Sequence, residues 1–297
     1  MDKVLEVYKG TDKEMKCYGE YQYEIGKQET DTGAIRCGDK GYHSCEIPFD
    51  VLRYFPMRDG NRYFIAEASG IIDRTNENDS KIASSELKIK AEIGITGLIK
   101  AQIAYTKRKA KSGTNGGYCS NLAGGNDSNL AGGNYSNLVG GDGSNLAGGD
   151  RSNLAGGDRS NLAVGNGSNL AGGDRSNLAG GNWSNLAGGD YSNLVGGDGS
   201  NLAGGDYSNL VGGDGSNLAG GNDSHLAGGY SSLIIGGNGC RAKGGKNSVI
   251  VLTEWEWRND KYMPVSVKTE IVDGERIKAD TWYELKDGEI KECREEE

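Results

Sequence analysis

The sequence predicts a mainly β protein: a β-solenoid of about nine 16-residue coils, preceded by an α+β capping domain and followed by a small β-domain. Three observations lead to this prediction. Glycine contributes 51 of the 297 residues and proline only three, which is not the composition of an ordinary globular domain. An eight-residue period runs from Ser112 to about Val251 without one insertion. On both sides of that region the composition is ordinary.

The repeated unit reads G-G-[DN]-x-S-N-L-A, and its leucine recurs at every eighth position from Leu122 to Leu226. A flexible linker has no reason to keep such a register, so the repeat indicates order and not disorder. Alternation along a strand places Ser and Leu on one face and Asn and Ala on the other. Leucine is the only sizeable apolar residue of the unit, so it is expected to face the core. This predicted core ladder includes Leu122, Leu138, Leu154, Leu170, Leu178, Leu186 and Leu202.

One octad cannot close on itself, so two octads are expected to form one coil with two short strands and two turns. Tyr191 and Tyr207 support this period, because like turn residues recur sixteen positions apart. The stretch that begins at Tyr191 also begins at Tyr135, an odd number of octads away. The two halves of the coil therefore exchange places along the rod. The glycines are expected to provide backbone freedom at the corners. At a spacing of about 4.8 Å, the rod is about 40 Å long.

The outward Asn and Ala side chains are expected to face solvent on both flat sides of the rod. Such faces are flat, uncharged and self-complementary, which predicts a weak equilibrium between monomer and dimer. Variable turn residues form a second candidate surface, since aromatic and Arg side chains are typical of binding hot spots. Alternatively, these turn positions tolerate any residue. The candidate surface residues are Asn121, Asn137 and Asn153 on one side, Asn129, Asn145 and Asn161 on the other, and Arg159, Arg175, Trp183, Tyr191 and Tyr207 in the turns.

The flanking regions, residues 1–111 and 252–297, are expected to cap the solenoid, because exposed end coils would template aggregation. The C-terminal region predicts hairpins with Asp-Gly turns, and its tryptophans Trp255, Trp257 and Trp282 are interpreted as core or cap contacts. In the N-terminal region, Thr96 is the predicted N-cap of a helix that leads into the repeat. The predicted N-terminal elements are strands at Val4–Tyr8, Tyr21–Ile25, Tyr63–Ala68 and Leu87–Ile93, and helices at Pro48–Tyr54 and Gly97–Lys109.

The octads resemble the repeat of bacterial ice-nucleation proteins, whose 16-residue coils consist of AGxxSxLT-like halves. GGDRSNLA at Gly156–Ala163 matches such a half, and GKNSVIVLTEWEWRNDKYMPVSVKTEIVDGERIKADTWYEL is similar to the domain that closes those proteins. The resemblance implies the solenoid fold and raises ice binding as a function. However, the outward Thr rows of that family are replaced by Asn and Ala, and no Thr lies between Thr114 and Thr253. Any ice activity is therefore expected to be weak.

The N-terminal stretches GYHSCEIPFDVLRYFP and RYFIAEASGIIDRTNENDSKIASSELKIKAEI resemble an uncharacterised domain that is fused to repeat proteins in bacteria and phages. This resemblance implies no activity. The formal net charge of −9 and the lack of a basic patch argue against nucleic-acid binding. Neither a signal peptide nor a membrane span is apparent, so we expect a cytoplasmic protein with reduced cysteines and no membrane partner.

Catalytic and metal chemistry receive little support. His43 and Cys45 stand close in sequence but need not approach as base and nucleophile. GGDGSN resembles the calcium-binding nonapeptide only superficially, because Asn replaces the carboxylate and the period is eight. No catalytic residue, cofactor or metal is therefore expected.

The sequence predicts a non-enzymatic repeat scaffold that acts through its surface, by protein binding or self-assembly. Its expected partner is a second copy of itself or an unidentified protein. Two alternatives stay open: an ice-binding protein, and an acidic DNA-mimic inhibitor, possible for a phage-borne protein. For a DNA mimic, the six basic and ten acidic residues between positions 112 and 250 give a dilute charge.

Overall fold

The computed structural model describes residues 4–17, 21–56, 60–74, 80–109, 116–258 and 260–293. The chain forms two compact units, residues 1–105 and residues 106–297. The first unit contains five strands, a 3-10 helix and most of one α-helix. Its elements are β1 (Leu5–Thr11), β2 (Gln28–Thr30), β3 (Tyr42–Cys45), a 3-10 helix (Pro48–Arg53), β4 (Arg62–Asp73), β5 (Lys81–Glu92) and α1 (Gly94–Lys109), which runs past the unit boundary.

The strands of the first unit form a closed antiparallel barrel. β3, β1 and β4 lie side by side, and β5 pairs with both β3 and β4, so that four strands surround one core. β2 pairs with the other part of β5. The interior is apolar and includes Val7, Phe64, Ala66, Leu87 and Ile89. Closure leaves the four barrel strands with few unpaired backbone groups.

Three of the four predicted N-terminal strands are confirmed within β1, β4 and β5, whereas Tyr21–Ile25 forms only an isolated bridge at Gln22. The sequence analysis missed β2 and β3, which are three and four residues long. Helix α1 begins at Gly94, so Thr96 lies inside the helix and its prediction as N-cap was wrong. The short predicted helix is a 3-10 helix.

The second unit is the predicted β-solenoid, with stacked parallel strands sixteen residues apart. Its short strands form two sheets, which we call the even sheet and the odd sheet. The even sheet contains β6 (Asn121–Ala123), β8 (Asn137–Val139), β10 (Asn153–Ala155), β12 (Asn169–Ala171), β14 (Asn185–Ala187), β16 (Asn201–Ala203), β18 (Asn217–Gly220) and β20 (Leu233–Gly236). The odd sheet contains β7 (Asn129–Ala131), β9 (Asn145–Ala147), β11 (Asn161–Ala163), β13 (Asn177–Ala179), β15 (Asn193–Val195), β17 (Asn209–Val211), β19 (His225–Gly228) and β21 (Arg241–Gly244).

Each coil contributes one strand to each sheet, which gives about eight coils where the sequence analysis expected about nine. The predicted core ladder is confirmed: every leucine from Leu130 to Leu226 is at most 3% exposed. Leu122, in the first strand, is partly buried. Because the strands pair in exact register, Leu154 lies between Leu138 and Leu170. The rod thus has a core one leucine wide on each side.

Two antiparallel hairpins extend the sheets at the C-terminal end. β22 (Val249–Arg258) pairs with β20 and then with β23 (Lys261–Ile271), which adds to the even sheet. β24 (Tyr283–Lys286) pairs with β21 and with β25 (Glu289–Glu292), which adds to the odd sheet. The Asp-Gly turn between β24 and β25 has positive φ at both residues, as the sequence predicts. Of the tryptophans, Trp282 is buried, whereas Trp257 is 65% exposed and therefore not a core residue.

Inward serines compensate for the thin apolar core. The Ser160 backbone N–H donates to Oγ of Ser176 in the next coil, at 3.2 Å. Ser160 Oγ in turn donates to the carbonyl oxygen of Gly141, at 3.2 Å. The serines from Ser136 to Ser224 are completely buried. Each of these polar groups is paired, so burying them does not carry the cost of an unsatisfied group.

The glycine pair of the octad has a different role from the one expected. φ is positive at the variable turn residue, for example 58° at Arg175 and 60° at Trp183, and not at the paired glycines. The second glycine of the pair is needed for space, because a Cβ on Gly173 would lie 2.1 Å from Asp158 Oδ1. The expectation that these glycines supply backbone freedom at the corners was therefore wrong.

Candidate interaction surface

The candidate surface is the outward face of the even sheet, which carries an exposed ladder of asparagines. Each Asn donates from Nδ2 to Oδ1 of the Asn in the preceding coil, at 2.8 or 2.9 Å, from Asn137 to Asn217. The ladder follows from the parallel register, which places identical side chains one above another at about 4.8 Å. The predicted Asn ladder, including Asn121 and Asn153, is confirmed on this face.

Each amide in the ladder has further hydrogen-bonding capacity. A primary amide has two N–H donors and two acceptor sites on its oxygen. An Asn such as Asn169 uses one donor and one acceptor along the ladder. One N–H and one lone pair per coil are thus left for an outside partner.

An apolar row lies beside the ladder, and a shallow trough runs between the two. The trough has a volume of about 750 Å³. Ala and Val side chains form its second wall, and Val139 there is 52% exposed. Leu233 and Ile235, 37% and 40% exposed, replace Asn and Ala in the last coil that lines the trough. Among the residues that the structure describes, those lining this trough are all uncharged.

The odd sheet carries a second ladder of the same kind, in which Asn145, Asn161 and Asn177 are linked at 3.1 and 2.8 Å. These side chains are buried, unlike those of the even sheet, and Asn161 is 3% exposed. The sequence analysis expected both ladders to face solvent, and for Asn145 and Asn161 that expectation was wrong. Asn129 is partly buried. Nothing in the octad distinguishes the two halves of a coil, so the repeat alone cannot predict the difference.

The variable turn residues lie on two separate edges of the solenoid. Arg159, Arg175, Tyr191 and Tyr207 follow one another at sixteen-residue intervals on one edge, which we call the tyrosine edge. Trp183 belongs to the other set of turns, together with Tyr135 and Arg151, and we call this the tryptophan edge. The structure therefore brings four of the five predicted turn residues into one column and leaves Trp183 apart.

Aromatic side chains stack along both edges. On the tyrosine edge, the rings of Tyr191 and Tyr207 are parallel within 10° and 4.9 Å apart, and the Arg175 guanidinium lies 5.5 Å from the Tyr191 ring. The contact of Tyr191 with Tyr207 confirms the 16-residue coil that the recurrence of like turn residues predicts. On the tryptophan edge, the indole of Trp183 lies over Gly199, which has no side chain to displace it. Trp183 is 71% exposed.

The sequence analysis missed one further ladder, formed by the Asp or Asn at the third octad position. Oδ1 of each such residue accepts the backbone N–H of its equivalent in the next coil, as with Asp158 and Asp174 at 3.0 Å. On the tyrosine edge this position is Asp in five successive coils, from Asp142 to Asp206. The strict restriction to Asp and Asn in nearly every octad was the signal that could have revealed it.

His43 and Cys45, which stand close in sequence, lie on the same short strand, β3. Nε2 of His43 accepts the backbone N–H of Gly38 at 2.8 Å, and Cys45 is 3% exposed. Among the described residues, no group of three His, Cys, Asp or Glu side chains is arranged to hold a metal ion. Within the same residues, no helix has the length and apolar character needed to cross a bilayer.

Residues 5–101 match the family model of a domain of unknown function, DUF7666. This match covers the barrel unit and the start of α1. No ice-nucleation family model matches the repeats. No curated protein and no solved structure matches the chain.

Proposed function

We propose that the protein is a non-enzymatic scaffold that acts through the exposed face of its even sheet, by binding a second copy of itself or another protein. One observation carries this proposal: the exposed Asn ladder presents an uncharged, periodic row of hydrogen-bonding groups beside an apolar trough. A second ladder facing it in a twofold arrangement would offer the same groups at the same spacing. The faces of two copies are thus complementary without any adjustment.

The size of this face indicates a weak interaction. Seven Asn levels span about 29 Å, and a three-residue strand is about 10 Å wide. The face therefore offers roughly 300 Å², against about 800 Å² per partner in a stable complex. Trp183 on the tryptophan edge and Tyr191 on the tyrosine edge would add area at the rim of this face, where aromatic side chains contribute less than at the centre of an interface. We expect a dissociation constant of roughly 10 μM to 1 mM for self-association.

Light scattering coupled to size-exclusion chromatography, between about 10 μM and 1 mM protein, tests this proposal. The average mass should rise with concentration for the native chain. It should stay at the monomer value when Asn153, Asn169 and Asn185 are changed to Lys, because adjacent ammonium groups repel across the interface. The matched control changes Gln22, Gln28 and Thr30, which are exposed in the barrel unit, to Lys. A native chain that stays strictly monomeric at 1 mM would exclude self-association, and a control that also dissociates would exclude this face.

Ice binding is a second candidate, because the Asn and Ala side chains of the even sheet repeat at one regular spacing on an exposed face. The rows are Asn and Ala, which lack the regular hydroxyl and methyl groups of Thr. We therefore expect droplets of the protein at micromolar concentration to freeze near the buffer baseline. Freezing raised by many degrees would favour this candidate over the first.

The proposal includes an intracellular location. The structure contains no disulfide among the residues it describes, which include all six cysteines, and reduced thiols are typical of proteins in reducing compartments. Cell fractionation that places the native protein outside the cell, with disulfides, would contradict it.

A further inference from the structure

A cavity of about 520 Å³ lies in the barrel unit, beside β3. This volume is within the range of small-molecule sites. Its lining includes two lysines, a histidine and several tyrosines, among them Lys9, Tyr23, Tyr42, His43, Tyr54 and Lys81.

Lys9 is the most informative of these residues, because its side chain is only 5% exposed. Its Nζ donates to the carbonyl oxygen of His43 at 2.7 Å and lies 4.7 Å from the centroid of the Tyr23 ring. Among the described residues, no carboxylate lies within 4.0 Å of this Nζ. Glu29, the buried carboxylate near the tyrosines, accepts from the Tyr21 hydroxyl at 2.6 Å and lies 3.2 Å from Lys27 Nζ. A buried ammonium is costly unless an anionic group pairs with it.

A second positive charge lines the same cavity. Lys81 Nζ lies 4.3 Å from the centroid of the Tyr54 ring. Burial lowers the pKa of His43, and the charges of Lys9 and Lys81 lower it further. The imidazole is therefore neutral at pH 7, in agreement with its Nε2 accepting the Gly38 N–H. Two carboxylates also line the cavity, Asp31 and Asp39.

Of these carboxylates, Asp31 already accepts the backbone N–H of Gly33 at 2.7 Å and lies 3.9 Å from Lys40 Nζ. Tyrosine rings form a further wall. The centroid of the Tyr21 ring is 5.0 Å from that of Tyr23 and 5.5 Å from that of Tyr42, with edge-to-face geometry. Such a cluster offers ring faces and edges on which a planar group can pack.

From this arrangement we propose that the barrel unit binds a small oxyanion attached to a planar ring, with Lys9 pairing with the anion and the tyrosines contacting the ring. The oxyanion is a carboxylate or a phosphate, both of which accept hydrogen bonds from an ammonium group. Lys81, which also lines the cavity, adds long-range attraction for the anion. This binding site is independent of the solenoid surface proposed above.

The test uses the full chain and three probes: phenyl phosphate, benzoate and the uncharged benzyl alcohol. NMR titrations that follow the amide resonances of residues 8–10 and 42–45 should show that at least one of the two anions binds, with a dissociation constant of roughly 0.1–1 mM. Benzyl alcohol should bind at least about tenfold more weakly. The tighter of the two anions identifies the oxyanion as phosphate or carboxylate. The pKa of His43, followed by its ring resonances, should rise when the anion binds, because an opposite charge favours the imidazolium.

Lys9→Met should weaken anion binding about tenfold or more, with little change for benzyl alcohol. Lys81→Gln changes the more exposed lysine and should weaken anion binding less. This variant tests the proposal if Lys9→Met does not fold. The matched control is Lys90→Met, since Lys90 is on β5 outside the cavity and pairs with Glu67 at 3.1 Å. The proposal is overturned if neither anion binds more tightly than benzyl alcohol, or if Lys90→Met weakens binding as much as the cavity variants do.

Discussion

Asp174 Oδ1 accepts the backbone N–H of Asp190, the equivalent residue one coil later, at 3.0 Å. The same bond links Asp158 to Asp174 and Asp190 to Asp206. Each of these carboxylates thus fixes the turn of the next coil. An amide oxygen performs the same role where the chain has Asn, as at Asn166 with Asn182.

Asp174→Ala is expected to destabilise the solenoid by about 1 kcal/mol, because the Asp190 N–H loses its acceptor. Asp174→Asn keeps the acceptor and removes one of five successive like charges, so its stability should equal or slightly exceed that of the native chain. The difference should shrink in high salt, which screens the repulsion. Urea unfolding of the three proteins checks this order. Equal losses of unfolding free energy for Asp174→Ala and Asp174→Asn would show that the hydrogen bond to the Asp190 N–H contributes nothing to stability.

Gly173→Ala is expected to disrupt the solenoid locally and to lower the free energy of unfolding by about 2 kcal/mol or more. The added Cβ would lie 2.1 Å from Asp158 Oδ1 and 2.8 Å from the Asp158 backbone nitrogen. Gly125 is the matched control. It occupies the same octad position in the first coil, and no described atom lies within 4 Å of a Cβ there. Thermal unfolding should show a lower Tm for Gly173→Ala than for the native chain. The Tm of Gly125→Ala should stay close to the native value. A similar loss for both would assign these glycines a conformational role instead.

The solenoid was predictable from the sequence because its period is strict. Leu178 must face the core, since no other large apolar residue is available in its octad, and Tyr191 must meet Tyr207 once the coil has sixteen residues. The barrel was less predictable, because β2 and β3 are short and their pairing with β5 joins residues far apart in sequence. The different exposure of Asn153 and Asn161 could not be predicted, since the octads that carry them, Gly148–Ala155 and Gly156–Ala163, are identical in sequence.

Leu178→Ala is expected to destabilise the solenoid by about 2–4 kcal/mol, because Leu178 is 1% exposed and is stacked between Leu162 and Leu194. A core one leucine wide has no second layer that could move into the space. Val139→Ala, on the exposed apolar row, is the control and should change stability by less than about 0.5 kcal/mol. Hydrogen exchange should show faster opening of the coils next to position 178. Uniform protection along the rod would contradict this local effect.

Acidification is expected to destabilise the barrel unit through His43. Burial and the charges of Lys9 and Lys81 lower the pKa of His43 in the folded chain, so the unfolded chain binds its proton more readily. The resulting stability is fully present above about pH 6.5, the ordinary value in the unfolded chain, and falls as the pH drops below it. Unfolding followed by signals of the barrel unit between pH 7.5 and about pH 5 should show this loss, and His43→Gln should reduce it. An unchanged slope in the variant would assign the loss to other groups.

The exchange of the two coil halves between Tyr135 and Tyr191 has a consequence for how such a chain can change in length. Duplication or deletion of sixteen residues restores every ladder and leaves both edges as they were. Duplication of eight residues also restores the backbone pairing, but it transfers every later turn residue to the opposite edge. Duplication of sixteen residues therefore lengthens the solenoid, and duplication of eight residues rearranges its two edges. Neither change requires an amino-acid substitution.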